Sequence, residues 1–345
     1  MPIGLDIGTY NIVQARREGK DVAFKREVNA FLDLPLDNEY MLNMLKSTGA
    51  PVVERGGSAY ILGKAAVELA FTMNREVNRP MYQGILSVQE KEAFNILSVI
   101  IRSMIGKVDK EEETVYFSVP ADAVNTETTS SYHQKVLQSI LDSYKVEGKS
   151  IKAKPINEAL AIVIAELGDK DRTGLGISFG AGMINLCYAM FSMPVVQFSR
   201  TDSGDWVDSE SAKATGETAT YINKRKEAIN LGEAPKDSVD RAIHYHYELL
   251  IENSLRDIAD GIKKAGSKAN PGKPIDIVLA GGTASPKGFT EFFKRVLDRL
   301  EFPLEVGEVK LAPEHLYTVA KGCLLAAEAA AGVKPPESEA PAAGN

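Results

Sequence analysis

The sequence predicts an α/β protein whose two similar halves face each other across a cleft. Three observations support this fold class. Strand-like runs alternate with amphipathic helical segments along most of the chain. A pattern of strand, glycine turn and strand occurs twice, at residues 5–13 and 177–188. A length of 345 residues is also sufficient for two domains with separate cores.

The first lobe is predicted to occupy residues 1–150, with an insertion at about 31–79. Apolar periodicity and turn residues give the boundaries of its elements. In chain order we predict strands up to Ile7, at 12–15, at 22–28 and at 59–62, helices from Lys64 and over 89–106, a strand at 114–119 and a helix that carries 136–141.

The second lobe is predicted to occupy residues 151–332, with an insertion at about 206–245. Its last helix, 316–331, is expected to pack back on the first lobe. Residues 333–345 lack apolar periodicity, so we expect a disordered tail, which could bind a protein partner. The other predicted elements are a strand at 151–155, a helix at 157–167, a hairpin from Gly174, helices over 209–265 interrupted near 232–235, and a strand at 275–280.

Composition narrows the functional class. The chain has 47 acidic and 40 basic residues, a net charge of -7, which argues against a nucleic-acid partner. Cys187 and Cys323 lie among apolar neighbours and are expected to be buried free thiols in a reducing cytosol. There is no apolar run of about 18 residues and no signal-peptide pattern. With only three residues before the first strand, we expect a cytoplasmic protein without a direct membrane anchor.

The glycine turns are the first candidates for a binding site. One hairpin turn in each half can point backbone amides into a shared cleft, and such amide nests favour anions such as polyphosphates. In the first turn, Asp6 stands at a strand end where its carboxylate suits a hydrated Mg²⁺, and Gly8 lets the backbone approach phosphate oxygens closely. The alternative is that Asp6 only caps the turn.

Other signatures of nucleotide binding and catalysis are not satisfied. Gly57 and Gly63-Lys64 are one residue too far apart for a P-loop. Gly180-Ala-Gly182 lacks the third glycine of a dinucleotide fingerprint. The spacing of the four histidines does not suit a metal site, and neither a Gly-x-Ser-x-Gly elbow nor a Cys and His motif occurs.

Five blocks of sequence follow one another along the chain. They are Gly4-Leu-Asp-Ile-Gly-Thr, Arg79-Pro-Met-Tyr-Gln-Gly-Ile-Leu, Val119-Pro120 with Glu127 seven positions after the proline, Gly176-Ile-Ser-Phe-Gly-Ala-Gly, and Val278-Leu-Ala-Gly-Gly-Thr. In this order the blocks resemble the superfamily of actin and heat-shock chaperone ATPases, and most closely bacterial actins of the MreB type. The resemblance covers about residues 2–330 and implies an actin-like (ribonuclease H-like) duplicated fold, with two lobes around a nucleotide cleft.

The resemblance also implies a site for ATP or ADP with Mg²⁺. Asp6 is expected to hold the hydrated metal and Glu127 to orient the attacking water, so these two are the catalytic candidates. For Glu127 and Lys226 the alternative is a solvated charge on or near a helix. The nucleotide-binding candidates are Gly8, Thr9, Tyr10 and Asn11 in the first phosphate turn, Ser178, Gly180, Ala181 and Gly182 in the second, Lys226 near the ribose, and Gly281, Gly282 and Thr283 at the adenosine.

The second phosphate turn departs from the family pattern of an aspartate, three glycines and two hydroxyls. Ser178 replaces the aspartate and attracts Mg²⁺ less strongly, while Met183 and Ile184 cannot donate hydroxyl groups. We therefore expect nucleotide binding to be retained more readily than hydrolysis. Asn157 and Glu158 are also unusual. They could form a helix cap, or Glu158 could replace the lost acidity.

The resemblance implies a filament-forming cytoskeletal protein in which ATP binding and hydrolysis control self-association through head-to-tail contacts. The alternative is a non-filamentous scaffold or regulator with weak or no hydrolysis, which the altered second turn favours. A sugar-kinase-like enzyme of the same fold is disfavoured because the second turn has no obvious catalytic aspartate.

Overall fold

The computed structural model describes residues 1–36, 43, 47, 49–73, 75–127 and 129–333. Within them, one large sheet lies in each half of the chain, and a small sheet and a short hairpin accompany the first. The predicted α/β fold of two similar halves is confirmed. Apart from Val333, the predicted C-terminal tail lies outside the described residues.

The first half contains most of the strands. Its strands are β1 (Ile3–Ile7), β2 (Asn11–Glu18), β3 (Asp21–Val28), β4 (Phe31–Pro35), β5 (Val52–Arg55), β6 (Ser58–Leu62), β7 (Met81–Tyr82), β8 (Ile85–Leu86), β9 (Glu112–Val119), β10 (Lys145–Val146) and β11 (Lys149–Asn157). Its helices are α1 (Gly63–Thr72), α2 (Ala93–Ile105) and α3 (Ser131–Asp142). The predicted helix over 89–106 begins later than expected because residues before Ala93 form a turn, in which the Ala93 amide donates to the Glu90 carbonyl at 3.1 Å.

The second half is richer in helix. Its strands are β12 (Gly174–Phe179), β13 (Ile184–Met190), β14 (Met193–Arg200), β15 (Ile275–Ala280) and β16 (Val306–Leu311). Its helices are α4 (Glu158–Glu166), α5 (Gly204–Thr215), α6 (Ala219–Ala228), α7 (Ser238–Ala265), α8 (Phe289–Leu297) and α9 (Thr318–Ala330). The helical stretch predicted over 209–265 is broken twice, since Gly216 ends α5 in the left-handed region at φ 77° and a second break precedes α7.

The two large sheets share an order of five strands. These are β3-β2-β1-β9-β11 in the first sheet, which β10 extends at its edge, and β14-β13-β12-β15-β16 in the second. In each, the opening hairpin is antiparallel, and its first strand pairs in parallel with the next strand of the sheet, β1 with β9 and β12 with β15. The equivalent pairing explains why the strand, glycine turn and strand pattern recurs in the sequence.

Two helices, α4 and α9, pack closely against each other and against strands of the large sheets. A Cβ atom on Gly322 of α9 would lie 1.9 Å from the Ala161 carbonyl oxygen of α4. A Cβ atom on Gly4 of β1 would lie 2.2 Å from the Ala320 carbonyl oxygen of α9. The last helix of the chain is therefore pressed against the first strand.

The core is divided between the two halves. In the second half, the ring of Phe179 meets those of Phe289 and Phe293 edge-on, at centroid distances of 5.0 and 6.2 Å.

Cys187 and Cys323 are buried free thiols, as predicted, and burial raises the pKa of Cys187 to about 12. None of the helices in the described part of the chain is long and apolar enough to span a membrane.

Candidate functional site

The ends of β1 and β12 open onto one cavity of about 600 Å³ between the two halves. Its wall includes nearly all of the site residues that the sequence predicts. The predicted residues on the wall are Asp6, Gly8, Thr9, Tyr10, Asn11, Ser178, Gly180, Ala181, Gly182, Lys226, Gly281, Gly282 and Thr283. Segments that are far apart in sequence are thus brought to one site.

The first glycine turn, between β1 and β2, is closed by its own backbone. The Gly8 amide donates to the Asn11 carbonyl at 3.0 Å, and the Gly8 carbonyl accepts from the buried Asn29 side chain at 3.0 Å. A Cβ atom on Gly8 would lie 2.9 Å from the Asn11 carbonyl oxygen, so a larger residue would disturb the turn.

The second glycine turn, between β12 and β13, repeats this arrangement. The Gly180 amide donates to the Met183 carbonyl at 3.0 Å. The Gly180 carbonyl accepts from the Thr283 hydroxyl at 2.9 Å and from the Gly204 amide at 3.1 Å. These bonds tie the turn to the start of α5 and to the turn after β15, so three separate segments are fixed together.

The two turns touch across the cavity with the β7–β8 hairpin beside them. The Thr9 hydroxyl accepts a hydrogen bond from the Gly84 amide at 3.1 Å. A Cβ atom on Gly182 would lie 2.4 Å from that same hydroxyl oxygen, and one on Gly84 would lie 2.8 Å from the Met183 Cβ. Met183, which stands where the family has a hydroxyl, is buried and packs on the hairpin.

Two carboxylates lie on the cavity wall between the turns. Asp6 accepts a hydrogen bond from the Ser118 hydroxyl at 2.8 Å, and Glu158 accepts from the Ser178 hydroxyl at 2.6 Å and from the Asn185 amide group at 2.9 Å. Burial raises the pKa of Asp6 to about 6. Burial, and then the negative charge of Asp6, raises the pKa of Glu158 to about 8.

Asn157 and Glu158 take separate roles. The Asn157 side chain caps α4, since it accepts from the Leu160 amide at 3.0 Å. This agrees with the cap predicted from the sequence. Glu158 is the first residue of the helix and faces the cavity instead. Its position beside Ser178 could not be inferred from spacing, because the two residues are 20 positions apart and meet only in the folded chain.

The turn after β15 forms a further part of the wall, beside the second glycine turn. Gly281 has φ 94°, and a Cβ atom there would lie 2.3 Å from the Phe179 carbonyl oxygen, so this position requires glycine. The buried Tyr247 hydroxyl of α7 donates to the Thr283 carbonyl at 3.0 Å. The Gly281 amide donates to the His315 carbonyl at 2.9 Å. His315 therefore belongs to this wall, although no sequence motif indicated it.

Lys226 is on the wall, but its ammonium group is already engaged. It pairs with Asp208 at 2.8 Å and donates to the Gly204 carbonyl at 2.8 Å. Lys226 is buried, which differs from the solvated alternative considered for it. The pair fixes α6 to the first turn of α5, next to the second glycine turn.

Glu127, unlike the other predicted site residues, lies away from the cavity wall. It is exposed in the loop between β9 and α3, and it is not among the residues that line the cavity. Its water-orienting role stays a prediction. The carboxylates of Asp6 and Glu158, by contrast, lie on the cavity wall and are hydrogen-bonded to serine hydroxyls.

Contacts between the halves continue beside the cavity. Arg79, just before the β7–β8 hairpin, forms a salt bridge with Asp205 of α5 at 2.9 Å, and its guanidinium lies 4.9 Å from the centroid of the Tyr10 ring. Tyr10 and Asp205 both line the cavity. The site therefore offers two backbone turns suited to anions, two carboxylates suited to a hard cation, and a cavity of about 600 Å³ for a ligand.

Comparisons with known proteins agree on the fold. Similar solved structures include the MamK double helical filament, with a TM-score of 0.71 and 18% identity over 95% of this chain and 98% of that one. A second is MreB5 of Spiroplasma citri bound to AMPPNP, with a TM-score of 0.62 and 16% identity over 93% of this chain and 94% of that one. These likenesses establish an actin-like fold, as predicted.

No curated protein is detectably similar to the chain in sequence. A family model described as Volactin, however, matches residues 1–327. Since the match covers nearly the whole chain, the protein belongs to the volactin family.

Proposed function

We propose that the protein binds ATP or ADP with Mg²⁺ in the cavity between its halves and assembles into filaments under nucleotide control. The observation that carries the proposal is the convergence of the turns around Gly8, Gly180 and Gly281 on one cavity. Amide-rich turns suit a polyphosphate chain, and a glycine-lined wall suits a flat nucleoside. MreB5 of Spiroplasma citri was solved with AMPPNP and with ADP, which supports this choice of ligand.

The residues divide the work of binding. The first and second glycine turns hold the phosphates, and the segment from Gly281 to Thr283 holds the adenosine. Asp6 holds the water shell of Mg²⁺, and the oxygen donors of the site fit such a cation. When bound, Mg²⁺ neutralises phosphate charge, while the protein orients the phosphates and excludes solvent.

The cavity position explains how a nucleotide could control assembly. A ligand bound by both halves favours the conformation in which the halves are closed. Contacts between subunits that depend on this closed conformation then become stronger. Head-to-tail contacts of one kind then extend into a filament. A similar structure is described as a MamK double helical filament, and another as a non-polymerising MamK mutant bound to AMPPNP. The proposed location is the cytoplasm.

A second candidate is a non-filamentous nucleotide-binding scaffold with weak or no hydrolysis. Two observations favour it. Ser178 replaces a carboxylate at the second turn, and the exposed Glu127 is not part of the cavity wall. Loss of hydrolysis alone leaves nucleotide binding possible, because the backbone turns do not depend on either residue.

Sedimentation with parallel assays tests both candidates. Purified protein in Mg²⁺ is centrifuged at high speed with ATP, with ADP or without nucleotide. In parallel, calorimetry measures nucleotide binding and a phosphate assay measures hydrolysis. We expect binding of ATP and pelleting that depends on the nucleotide. Gly182→Ala, whose new methyl group would meet the Thr9 hydroxyl at 2.4 Å, should weaken both. Gly168→Ala is the matched control, since nothing lies within 4 Å of its Cβ position.

The outcomes separate the candidates. Protein that binds ATP but stays in the supernatant in every condition would support the scaffold. Wild-type protein that binds neither ATP nor ADP would overturn the proposal as a whole.

A further inference from the structure

We infer that Glu158 supplies the second carboxylate for the cation that accompanies the nucleotide, in place of the acidic residue missing at Ser178. The inference rests on the proposed nucleotide site and specifies how this chain builds it. It concerns a residue of α4, outside both glycine turns.

The first step is the position of the Glu158 carboxylate. The Ser178 hydroxyl donates to one of its oxygens at 2.6 Å, so that oxygen lies directly beside the side chain at the position of the lost aspartate. Glu158 of α4 thus brings a carboxyl group to the place where the family has the carboxylate that Ser178 lacks. The length of its side chain bridges the gap from α4 to β12.

The second step is orientation. The Asn185 amide group of β13 donates to the other Glu158 oxygen at 2.9 Å. Ser178 and Asn185 both donate, so they hold the Glu158 carboxyl group in one orientation and stabilise its ionised form when a cation binds. Each carboxylate oxygen can accept more than one bond, which leaves capacity on both oxygens for a cation or its water shell.

The third step is the symmetry with Asp6. The Ser118 hydroxyl donates to Asp6 at 2.8 Å and itself accepts from the Ile7 amide at 2.9 Å. Each half therefore presents one carboxylate that is held by a serine, Asp6 by Ser118 of β9 and Glu158 by Ser178 of β12. Two carboxylates on one wall repel each other, and a divalent cation between the halves relieves that repulsion.

The fourth step is that the basic side chains on the cavity wall do not neutralise Asp6 and Glu158. Lys226 lines the cavity but is occupied by Asp208 at 2.8 Å. The cations Arg26 and Lys64, which also line it, have exposed side chains. Among the described residues of the wall, no buried cation is left over to pair with Glu158. The chemistry of the site therefore fits a hard divalent ion such as Mg²⁺.

The test measures metal dependence of binding rather than turnover. Calorimetry gives the affinity for ATP in Mg²⁺ and in EDTA, and paramagnetic resonance follows Mn²⁺ bound in the presence of ATP. In wild-type protein, Mg²⁺ should raise the affinity. In Glu158→Gln, we expect this gain to fall by about 10-fold or more, with the affinity in EDTA unchanged or higher. Glu166→Gln, at the other end of the same helix, is the matched control and should keep the gain.

A double variant makes the test specific. Ser178→Asp in the Glu158→Gln background restores a carboxylate at the second turn and should recover most of the metal-dependent gain and the Mn²⁺ signal. Failure of both variants to differ from wild type overturns the inference, although the nucleotide site stands. Loss of ATP binding in EDTA as well would show that Glu158 holds the fold of the site rather than the cation. If wild-type protein binds no ATP at all, the proposed function itself fails.

Discussion

The guanidinium of Arg79 forms a 2.9 Å salt bridge with the Asp205 carboxylate, and so joins a segment of the first half to the first turn of α5 in the second. Both side chains are about one-third exposed, at 31% and 36%. The backbone amide of Asp205 also donates to the Ala181 carbonyl at 2.8 Å, which places this bridge directly behind the second glycine turn. The contact is thus suited to hold the cleft closed over a ligand.

Arg79→Ala should speed release of bound nucleotide while changing stability little. An exposed ion pair contributes about 0.2–1 kcal/mol, so the free energy of unfolding should fall by less than about 1 kcal/mol. Stopped-flow release of a fluorescent ATP analogue and chemical unfolding measure the two effects. The control is Arg256→Ala, which breaks the exposed Arg256–Glu252 pair within α7. Equal release rates for the two variants would contradict a closing role for Arg79.

The stability of the ligand-free protein should fall as the pH rises from acidic to mildly alkaline values. The folded-state pKa of Glu158 is raised from 4.5 to about 8 and that of Asp6 from 3.8 to about 6, so the folded state holds protons that the unfolded state releases. Their stabilising effect is complete below the unfolded pKa values and is lost by about pH 8. Urea unfolding in EDTA at a series of pH values up to about 8 measures this change in the free energy of unfolding.

Glu158→Gln is the control for that pH dependence. A glutamine cannot titrate, so the decline between about pH 6 and 8 should flatten in the variant. A wild-type protein whose unfolding free energy rises over the same interval would contradict the assignment of raised pKa values to this pair.

Gly322→Ala should destabilise the protein strongly. Its Cβ atom would lie 1.9 Å from the Ala161 carbonyl oxygen, and overpacking of this kind costs about 1–3 kcal/mol or more. Chemical unfolding of Gly322→Ala and of the unobstructed Gly168→Ala provides the comparison. Equal unfolding free energies would show that α4 and α9 are not in such close contact.

Tyr247→Phe should lower both stability and ATP affinity. The buried hydroxyl donates to the Thr283 carbonyl at 3.0 Å, and loss of one such hydrogen bond costs about 1 kcal/mol. Because Thr283 lies on the cavity wall, the loosened turn should also bind ATP more weakly. Tyr245→Phe, two positions away and 58% exposed, should change neither quantity. Thermal melts and calorimetry check this, and an effect as large in Tyr245→Phe would refute it.

Much of the fold could be predicted because local patterns match the final elements. The strand at residues 275–280 is found with the predicted bounds, and the repeated glycine turns lie at equivalent places in both sheets. By contrast, β14 and β16 lacked a prediction because few of their side chains are buried and their apolar alternation is weak. The helix α8 was also missed, although its buried residues Phe289, Phe292, Phe293 and Val296 follow helical spacing.

The candidate site was predictable where function depends on backbone and less so where it depends on side chains. Glycines mark turns, so the predicted glycines all reach the cavity wall. The contact of Glu158 with Ser178 depends on how α4 packs beside β12, which sequence spacing does not reveal. Glu127 was assigned from a motif, and the structure leaves it exposed outside the cavity wall.

The packing of α9 against β1 affects how the protein folds during its synthesis. Gly4 lies under Ala320, and Arg17 of β2 forms a 2.8 Å salt bridge with the buried Glu328 near the end of α9. As the chain leaves the ribosome, β1 and β2 are made well before α9, since Arg17 and Glu328 are 311 positions apart, and their surroundings are complete only when α9 has been made. We therefore expect nascent chains that end before α9 to depend on chaperones and to remain sensitive to proteases.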